Sequence, residues 1–582
     1  MRKGGRGAVE EIKALLEKEA AIVVWGAREV RRCRGSWGDA PLLPWFGRPF
    51  YIHMNGIDFI EWCTEEVPPL PRKVRYVIFV FPMGTGVGSS SMQLTGQFDI
   101  YLNGEYVLSF HVTKESKLWR RGECALYYMV KGLMVAPPGM SFRLDDHIRE
   151  ECMASSGLGA LKVPAGMVRR GENVLRVSSR RAVTVGRRVL GRSVTAVPSK
   201  RWFRVEFSYP KRYIANEHDL REVLEVLSKG REHPEVAGYC VFFGDIHSHS
   251  GESKGPACGA GTIDENYTYA RDVAALDFFS LTDHDWQILD YEDWEVRLKK
   301  ADEYYEKGVF VTLPGFEWTS RRYGHRNVYY RDTANCPLIR SLNGSIELRP
   351  TRLWEELRQR GIKAITVPHH TNVSPFPVDW SFHDPEYERL VEVYSSWGNS
   401  EYYGAPLSWP PHRVEGCSVQ DGLARGYKLG IIASSDSHDG HPGNAHGIRG
   451  VVGSGLVAVL ASELSRDAVF NALYERRCYA TTGARILLEF SVEGQLMGSE
   501  ITVTRETSPR HVKIYVEGTH SLSHVEVIRD NDVIYRRRIT GKRAVVEFTD
   551  REPLTNTSYY YVRVTQEDYE MAWSSPIWVS VE

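Results

Sequence analysis

Residues 239–249 read YCVFFGDIHSH, an apolar run that ends in an aspartate and two histidines at alternate positions. The same pattern returns in DFFSLTDHD at 277–285, VFVTLPGFEW at 309–318, AITVPHH at 364–370 and LGIIASSDSH at 429–438. Helical stretches separate these short apolar runs, which is typical of buried parallel strands covered by helices. The pattern therefore predicts an α/β barrel in this part of the chain.

All-β domains are predicted on both sides of the barrel. Residues 22–213 are rich in β-branched and aromatic residues with regular glycine and proline, as in a β-sandwich, and Asn103-Gly104 predicts a hairpin turn. This region is similar to the jelly-roll, galactose-binding-like modules of sugar-processing enzymes. Apolar residues at helical spacing predict a linking helix over residues 218–229.

Three domains follow from these patterns. After Gly483 the helical signals stop, and short alternating strands predict an immunoglobulin-like β-sandwich. The predicted boundaries are 1–235 for the first sandwich with its linking helix, 236–485 for the barrel and 486–582 for the second sandwich. The fold class is therefore multidomain, α/β plus all-β.

The composition of the 582 residues, with 42% hydrophobic and 25% charged residues, is that of a globular protein. A formal net charge of −1 gives no electrostatic case for nucleic acid or a membrane surface as partner. Nine cysteines without a CxxC pair favour free thiols in a reducing compartment.

The expected location is the cytoplasm. The N-terminal stretch lacks the uninterrupted apolar region of a signal peptide, and no run approaches the about 18 apolar residues of a spanning helix. Glutamine occurs at only seven positions, 93, 97, 287, 359, 420, 495 and 566. This depletion of a thermolabile amide favours a thermophilic source.

Metal-binding side chains cluster where the predicted barrel strands end. A single His-x-His is a weak signal, because alternate residues of any strand face one side. Carboxylates and imidazoles at the ends of successive strands occupy the place where barrel enzymes build their active sites. The candidate metal ligands are His247, His249, Glu252, His284, Glu317, His325, His369, Asp436 and His438.

The order His-x-His, Thr-Asp-His, Glu, His and Ser-Asp-x-His resembles the PHP (polymerase and histidinol phosphatase) superfamily over about residues 236–485. The most similar branch has GDIHSHS, SLTDHD, GHRN, VEVYSS and a closing CYATTG, and YYYVRVTQ…AWSSPIWV resembles its usual C-terminal appendage. The resemblance implies a distorted seven-stranded barrel that holds two or three divalent ions. Zn, Mn and Fe all suit such mixed ligands.

The resemblance also implies ligand roles. One ion would be held by His247, His249, Glu317 and Asp436, with Glu317 bridging to a second ion.

The other histidines complete the remaining positions. His325 and either His369 or His370 would serve the second ion, His284 the third, and His438 the third or a bridge. The superfamily commonly has an aspartate five residues after the second histidine of the first pair, where this chain has Lys254. Glu252 is the candidate substitute.

Such a cluster predicts a metal-dependent hydrolase. Adjacent cations lower the pKa of a shared water toward neutrality, and their charge suits phosphoester hydrolysis with a metal-bridging hydroxide on a small or sugar-linked phosphate. Hydrolysis of a C–N or carboxylic ester bond, or a catalytically silent binding protein, stay open as alternatives.

Three residues are candidates for catalysis beside the metals. Asp283 either fixes the tautomer of His284 or only caps its strand end. Arg326 is a phosphate donor or a loop-packing residue, and His438 is the third candidate. Asn327, Lys254 and the hydroxyls of Ser434, Ser435 and Ser437 are further candidate phosphate donors.

A basic segment suggests a second anion site. Residues 169–204 carry eleven arginines and lysines against the single acid Glu172. On alternating strands about half of them would share one face, which could hold a phosphorylated glycan. A solvated basic face paired with acids elsewhere is the alternative.

Overall fold

The computed structural model describes residues 5–26, 28–34, 36–37, 49–53, 58–88, 97–111, 115–135, 152–179, 187–189, 192–194, 203–208, 217–229, 233–254, 256–408, 413–443, 455–554 and 556–582. The chain forms two compact units, Met1–Val183 with Ala196–Glu232, and Thr184–Thr195 with His233–Glu582.

The first unit is built from strands, with a helix near each end. Its helices are α1 (Gly5–Lys18) and α2 (Glu217–Ser228), and a 3-10 turn spans Ala165–Met167. The strands up to α2, of which β13 and β14 belong to the short segment of the second unit, are β1 (Ala21–Trp25), β2 (Glu29–Arg34), β3 (Ser36–Trp37), β4 (Pro49–His53), β5 (Phe59–Cys63), β6 (Tyr76–Gly88), β7 (Gln97–Leu102), β8 (Glu105–His111), β9 (Lys117–Arg121), β10 (Cys124–Val135), β11 (Cys152–Pro164), β12 (Val174–Ser179), β13 (Arg187–Val189), β14 (Arg192–Val194) and β15 (Phe203–Ser208).

Two sheets make up the body of the first unit. One has the order β3-β4-β15-β6-β11-β10-β9 with β1 parallel to β6, and the other the order β2-β5-β12-β7-β8. Successive side chains of β6 point to opposite faces of its sheet. Phe79 and Phe81 enter the core shared by the two sheets, while Ile78 and Val80 pack on the side of the helices. The helix α2 covers that face with Val223, Leu224 and Leu227.

The hairpin of β7 and β8 turns at Asn103-Gly104. Both residues have positive φ, 53° and 90°, as a two-residue turn that matches strand twist requires.

The basic segment lies largely outside the described residues. Arg180, Arg181, Lys200 and Arg201 are among the residues not described, as is every side chain from 180 to 204. Of the described part, Arg176 pairs with Glu61 at 3.4 Å. The anion site stays a prediction.

The second unit continues from His233. Its helices are α3 (Ile263–Thr268), α4 (Tyr291–Glu303), α5 (Pro350–Gln359), α6 (Val419–Ala424) and α7 (Arg466–Tyr474), with a π-helical turn at Tyr269–Val273. Its strands up to α7 are β16 (Glu235–Val236), β17 (Tyr239–Asp245), β18 (Phe278–Phe279), β19 (Val311–Thr312), β20 (Gly315–Trp318), β21 (Arg326–Tyr330), β22 (Leu342–Asn343), β23 (Ile346–Glu347), β24 (Ala364–Pro368), β25 (Leu390–Ser395), β26 (Gly398–Asn399), β27 (Gly430–Ala433) and β28 (Leu456–Ala461).

The remaining strands form the C-terminal part of this unit. They are β29 (Cys478–Thr481), β30 (Leu487–Val492), β31 (Gln495–Leu496), β32 (Glu500–Val503), β33 (Arg510–Glu517), β34 (Leu522–Arg529), β35 (Asp532–Arg538), β36 (Arg543–Asp550), β37 (Ser558–Gln566), β38 (Met571–Ser574) and β39 (Ile577–Val581).

The strands of residues 236–485 pair differently from a regular barrel. The strands β17, β18 and β19 are parallel, as are β25 and β27, but β20, β21 and β24 are antiparallel. Among the described residues these strands belong to three sheets, and the predicted seven-stranded barrel is not confirmed. The physical reason is the short turn between β20 and β21, which has no room for the crossover helix that a parallel pair needs.

The C-terminal strands form the predicted kind of all-β region. A sheet of order β31-β30-β33-β36 shares a core with the sheet that contains β34 and β37. Phe490 and Ile514 from the first sheet, and Val525 and Val562 from the second, are all fully buried in that core.

Within the described part of the chain, every helix is too short or too polar to cross a membrane.

Candidate metal centre

The carboxyl end of β17 is held by a buried aspartate. Asp245 accepts hydrogen bonds from the backbone nitrogens of His247 at 3.1 Å, Ser435 at 2.9 Å and Gly443 at 2.6 Å. These bonds join the end of β17 to the loop after β27. Asp245 therefore brings the His247 and Asp436 segments together.

Two buried carboxylates lie at the centre of the site. Glu317, in β20, is 1% exposed and Asp436, after β27, is 2% exposed. His247 Nε2 lies 3.3 Å from an oxygen of each, and His249 Nε2 lies 3.2 Å from the same two atoms. The His-x-His pair thus bridges the two carboxylates.

Four further imidazoles surround these acids. Glu317 Oε1 lies 3.1 Å from His284 Nδ1 and 2.8 Å from His325 Nδ1. Glu317 Oε2 lies 3.6 Å from His369 Nε2, and His438 Nδ1 is 3.3 Å from Asp436. Residues from the ends of several strands therefore meet around one carboxylate.

These side chains fall into groups whose ligand atoms lie within 4.8 Å of one another. The groups in this region are His249, His284 and His438; His325, His369 and His370; His247, Glu317 and His369; and His247, His249 and Asp436. They contain every predicted metal ligand except Glu252, and both His369 and His370 take part. Which of these atoms bind an ion stays a prediction.

The hydrogen-bonding state of the cluster fits a cation. Among the described residues, neither ring nitrogen of His249 or His369 has a hydrogen-bond partner, and nor does His325 Nε2. A buried polar atom left without a partner is costly unless something else satisfies it. A divalent ion that takes histidine and carboxylate ligands would satisfy these atoms.

The pKa values of the cluster also favour metal binding. Burial opposes charge on Glu317, but the imidazoles of His284, His325 and His369 outweigh it and hold its pKa well below the usual range. Burial and the neighbouring His247 lower the pKa of His369 to about 3. Glu317 is therefore ionised and His369 neutral, which are the forms that bind metal.

Other histidines carry protons because they face the acids. Burial acts against the charge on His247, but Asp436 and Glu392 raise its pKa well above the usual value. The neighbouring Cys258 and Asp436 raise the pKa of His438 to about 9, again against the effect of burial. Metal binding would displace these protons.

Two site residues have an unusual backbone. His370 has φ 36° and Asp436 has φ 51°, both in the left-handed region that few residues other than glycine adopt. Such strained residues cluster at functional sites, where surrounding structure holds them in place.

Arg326 does not reach the cluster. Its register partner on β20 is Trp318, whereas Glu317 pairs with Asn327, so Arg326 lies on the opposite face of the sheet from Glu317. There it is fully buried and binds Glu388, with Nε to Oε2 at 2.7 Å. Arg326 was expected as a phosphate donor beside the metals, but the structure places its guanidinium against Glu388. Asn327 is the residue that shares the face of Glu317.

Asp283 and Glu252 also lie outside the groups. Asp283 accepts from Ser250 N at 2.6 Å and Arg297 Nε at 2.9 Å, so it does not fix the tautomer of His284. Glu252 accepts from the backbone nitrogen of Ile263 at 2.9 Å. Both acids hold the loop after His249.

The histidine His284 has a different partner. Its Nδ1 lies 2.9 Å from the Thr319 hydroxyl, which also donates to Glu317 at 2.9 Å. Lys254, a candidate phosphate donor, lies on the surface and forms ion pairs with Asp290 and Glu292.

Sequence reasoning missed three residues of the site. Glu392 lies 3.1 Å from His247 Nδ1 and orients that imidazole, and an acid inside the apolar run LVEVYSS could have signalled it. Cys258 is the second, and the nearby His438 and His284 hold the pKa of its thiol well below the usual range against the effect of burial. A lone cysteine in a glycine-rich loop gives no spacing signal.

Arg413 is the third. Its guanidinium donates to Trp397 O at 2.7 Å, to Ser400 Oγ at 3.0 Å and to Asn372. It forms no ion pair with any described residue, and burial lowers its pKa to about 10.

Aromatic side chains border the histidines. Trp286 stacks on His284 with 4.8 Å between ring centroids, and Phe376 stacks on His325 at 4.6 Å. Trp397 lies 5.6 Å from His370. All three aromatic residues are partly exposed, so they form an apolar rim on the polar cluster.

The chain is similar in sequence to a family and to proteins that are described as uncharacterised. The family described as "Protein of unknown function (DUF3604)" matches residues 275–378 and 444–507. An uncharacterized protein of Chlamydia trachomatis is 29% identical over 348 residues, 55% of this chain and 55% of that protein. One of Chlamydia pneumoniae is 28% identical over 336 residues, 54% of each. The chain spans about half the length of the curated relatives it matches.

Two solved structures are similar at low identity. A two-domain protein containing a predicted PHP-like metal-dependent phosphoesterase, from Bacteroides vulgatus, is 15% identical with a TM-score of 0.31, covering 61% of this chain and 99% of that one. PsfC from Pseudomonas syringae is 16% identical with a TM-score of 0.25, covering 38% and 82%. At these TM-scores neither structure bears on the activity of this chain.

Proposed function

We propose that this protein is a metal-dependent hydrolase and that its substrate is a phosphate ester. The observation that carries the proposal is the pair of buried carboxylates, Glu317 and Asp436, surrounded by imidazoles at 2.8–3.6 Å. A buried set of ionised carboxylates and imidazoles, in which several ring nitrogens have no hydrogen-bond partner among the described residues, is the donor set of a divalent metal centre.

The four groups give the centre room for more than one ion. His247 and His249 with Asp436 would hold one, and His325 with His369 and His370 another. Bound divalent ions would supply Lewis-acid charge and lower the pKa of water.

Within such a centre, neighbouring side chains orient the imidazoles, and one imidazole is accessible to a substrate. Glu392 fixes the ring of His247, and Thr319 fixes His284. The side chain of His438 is 16% exposed, more than His284 at 8% or Glu317 at 1%. His438 therefore lies on the open side of the cluster, where it can contact a substrate.

Phosphoester chemistry is favoured by the number of groups and by Arg413. A phosphoryl transition state spreads charge over three equatorial oxygens, so several adjacent cations stabilise it better than they do a single oxyanion. Arg413, which lacks an acidic partner among the described residues, lies beside Trp397 at the aromatic rim. It replaces Arg326 as the candidate donor to a substrate anion.

Elemental analysis of the purified full chain tests the metal centre. We expect two or three equivalents of Zn, Mn or Fe, and fewer in Glu317→Gln. A protein that takes up no divalent metal after reconstitution would refute the proposal.

A phosphoester panel with the matched metal tests the reaction. We expect turnover of at least one phosphomonoester or phosphodiester, with competitive inhibition by inorganic phosphate. Arg413→Ala should raise KM with metal content unchanged, whereas the exposed Arg425→Ala should behave as wild type.

Hydrolysis of a C–N or carboxylic ester bond is the second candidate. It is favoured by the placement of Arg326 and Lys254, whose charges are engaged by Glu388 and by Asp290 with Glu292. A neutral substrate would not need them. If many millimolar phosphate leaves turnover of the best substrate unchanged, this candidate replaces the first.

A further inference from the structure

Two large aromatic side chains lie beside the histidines on one side of the cluster. Phe376 and Trp397 are both partly exposed, and their rings meet at 90° with 5.5 Å between centroids. Phe376 stacks on His325 at 4.6 Å, and Trp397 lies 5.6 Å from His370. His325 and His370 belong to one group of candidate metal ligands. The two rings therefore form an aromatic corner next to a proposed ion.

Arg413 joins the two segments that carry the aromatic corner. Its guanidinium donates to Trp397 O at 2.7 Å and to the side chain of Asn372, a few residues before Phe376. Gly398 has φ 81°, and a Cβ there would lie 3.0 Å from Arg413 Nη2, so glycine allows the guanidinium to approach this closely. The corner therefore has a fixed geometry with a positive charge beside it.

The angle between the two rings indicates which kind of group fits the corner. Aromatic rings prefer either offset stacking or edge-to-face contact. A flat ring that stacks on one wall of a 90° corner meets the other wall edge-to-face, so both preferred contacts form at once. A sugar or another saturated ring lacks the aromatic quadrupole and gains only apolar contact. The corner therefore favours an aromatic ring over an aliphatic group of the same size.

The position of the corner indicates how that ring is attached. Phe376 is in direct contact with His325, a candidate metal ligand, so a ring bound in the corner is separated from a metal-bound phosphoryl group by few atoms. An ester oxygen bonded directly to the ring meets this condition.

We propose that the aromatic corner of Phe376 and Trp397 binds the leaving group of the substrate, and that the substrate is an aryl phosphate ester. The inference rests on the proposed hydrolase function and names its substrate class. In the reaction the oxygen of water forms a bond to phosphorus and the bond from phosphorus to the aryl oxygen breaks. The aryl group leaves as a phenolate, which takes up the proton that the water releases. The positive charge of Arg413 suits a leaving group that departs as an anion.

Two phosphonates of matched size test the corner on the metal-loaded full chain. Benzylphosphonate and cyclohexylmethylphosphonate both replace the ester oxygen by a CH₂ group, and only the first carries an aromatic ring. Calorimetric titration should show wild type binding benzylphosphonate about 10-fold more tightly, since two aromatic contacts add to the apolar burial that both ligands share. Trp397→Leu and Phe376→Leu each remove one contact and should each reduce the preference to about 3-fold.

Two further variants separate the corner from general effects on the fold. Trp397→Phe keeps an aromatic ring and the backbone carbonyl that accepts from Arg413, so it should keep more of the preference than Trp397→Leu. Tyr403→Leu, at a tyrosine that is 56% exposed in the same segment, should bind both phosphonates like wild type. Metal content should be that of wild type in all four variants, because none of these side chains is a candidate ligand.

The outcomes distinguish this inference from the proposed function. Wild-type protein that binds neither phosphonate and turns over no phosphoester contradicts the proposed function. Protein that hydrolyses phosphoesters but binds both phosphonates equally well overturns the aromatic leaving group and leaves the hydrolase proposal standing. A benzyl preference that survives in both leucine variants overturns the assignment to Phe376 and Trp397.

Discussion

Glu317 contacts more of the cluster than any other single side chain described here. Its two oxygens face His247, His249, His284, His325 and His369 at 2.8–3.6 Å. Burial alone would keep such a carboxyl protonated, and the surrounding imidazoles reverse that preference. The charge at this one position therefore depends on five imidazoles from four separate segments of the chain.

Removing a ligand should remove metal but keep the fold. We expect Asp436→Asn and His249→Ala each to lose at least one equivalent of metal and to lower kcat about 100-fold or more, because both side chains are proposed to bind an ion directly. The far-ultraviolet circular dichroism should stay that of wild type. His511→Ala, at an exposed strand position, is the control, and full activity in either site variant would contradict the ligand assignment.

The Arg326 substitution should act on stability. Arg326→Ala leaves Glu388 buried without its cation, which costs about 3–5 kcal/mol of unfolding free energy. Metal content should be unchanged, and the exposed Arg322→Ala should unfold like wild type. A variant of normal stability with a raised KM for a phosphoester would return Arg326 to the substrate site.

At the scale of the element, strand register decides which side chains meet. Asn327 and Arg326 are neighbours on β21. Asn327 shares a face with Glu317, whereas Arg326 packs over Trp354 on the opposite face. The motif GHRN contains both residues and does not reveal which one faces inward. Only the pairing of β20 with β21 settles it, because adjacent residues of a strand point to opposite faces.

The loop after β17 is tied to α4. Asp283 joins Ser250 to Arg297, whose side chain is 5% exposed in α4. We expect Asp283→Asn to lower the melting temperature and to leave the shape of the pH–rate profile unchanged, since Asp283 does not contact a ring nitrogen of His284. Glu295→Gln, exposed on the same helix, is the control. If Asp283→Asn shifts the pH–rate profile while stability stays unchanged, Asp283 has a catalytic role.

An acid-sensitive element lies in the C-terminal sheets. Burial opposes the charge of Asp550, but Tyr560, the Glu552 backbone and Arg510 hold its pKa below the usual range. A lowered carboxyl pKa stabilises the fold above about pH 4 and loses that effect as the pH falls through the folded-state pKa. Urea unfolding should therefore show a smaller loss of stability between pH 5 and pH 3 in Asp550→Asn than in wild type.

At the scale of the whole second unit, the site and the C-terminal sheets are one structure. The strand β29 pairs with β38, which joins the strands of both parts in one sheet. Glu401, 1% exposed, accepts hydrogen bonds from Tyr561 at 2.7 Å, Arg563 at 2.9 Å and Trp573 at 2.8 Å. One continuous sheet therefore contains strands from both sides of the predicted boundary at residue 485, and the boundary itself stays a prediction.

Glu401 should couple the unfolding of the two parts. Glu401→Ala leaves Arg563 and two other donors without their acceptor, and we expect a loss of about 3–5 kcal/mol. Calorimetry should show one transition for the second unit in wild type and in the control Glu567→Ala. Two resolved transitions in wild type would contradict the coupling.

Some properties were predictable because they are local. The hairpin at Asn103-Gly104 follows from two residues that accept positive φ, and the helix predicted over 218–229 is observed as Glu217–Ser228. Apolar runs ending in acids and histidines predicted that side chains from distant segments would converge, and the structure brings them together. The location, the source temperature and the ligand roles stay predictions.

By itself, the sequence determined the all-β flanking regions and the collection of histidines and carboxylates at strand ends, because strand periodicity and turn chemistry act over a few residues. Only the tertiary structure decided that Arg326 faces Glu388, that Asp283 binds Arg297 and that Glu392 meets His247. Those contacts join residues far apart in the chain through sheet register and loop closure, and neither leaves a trace in local spacing.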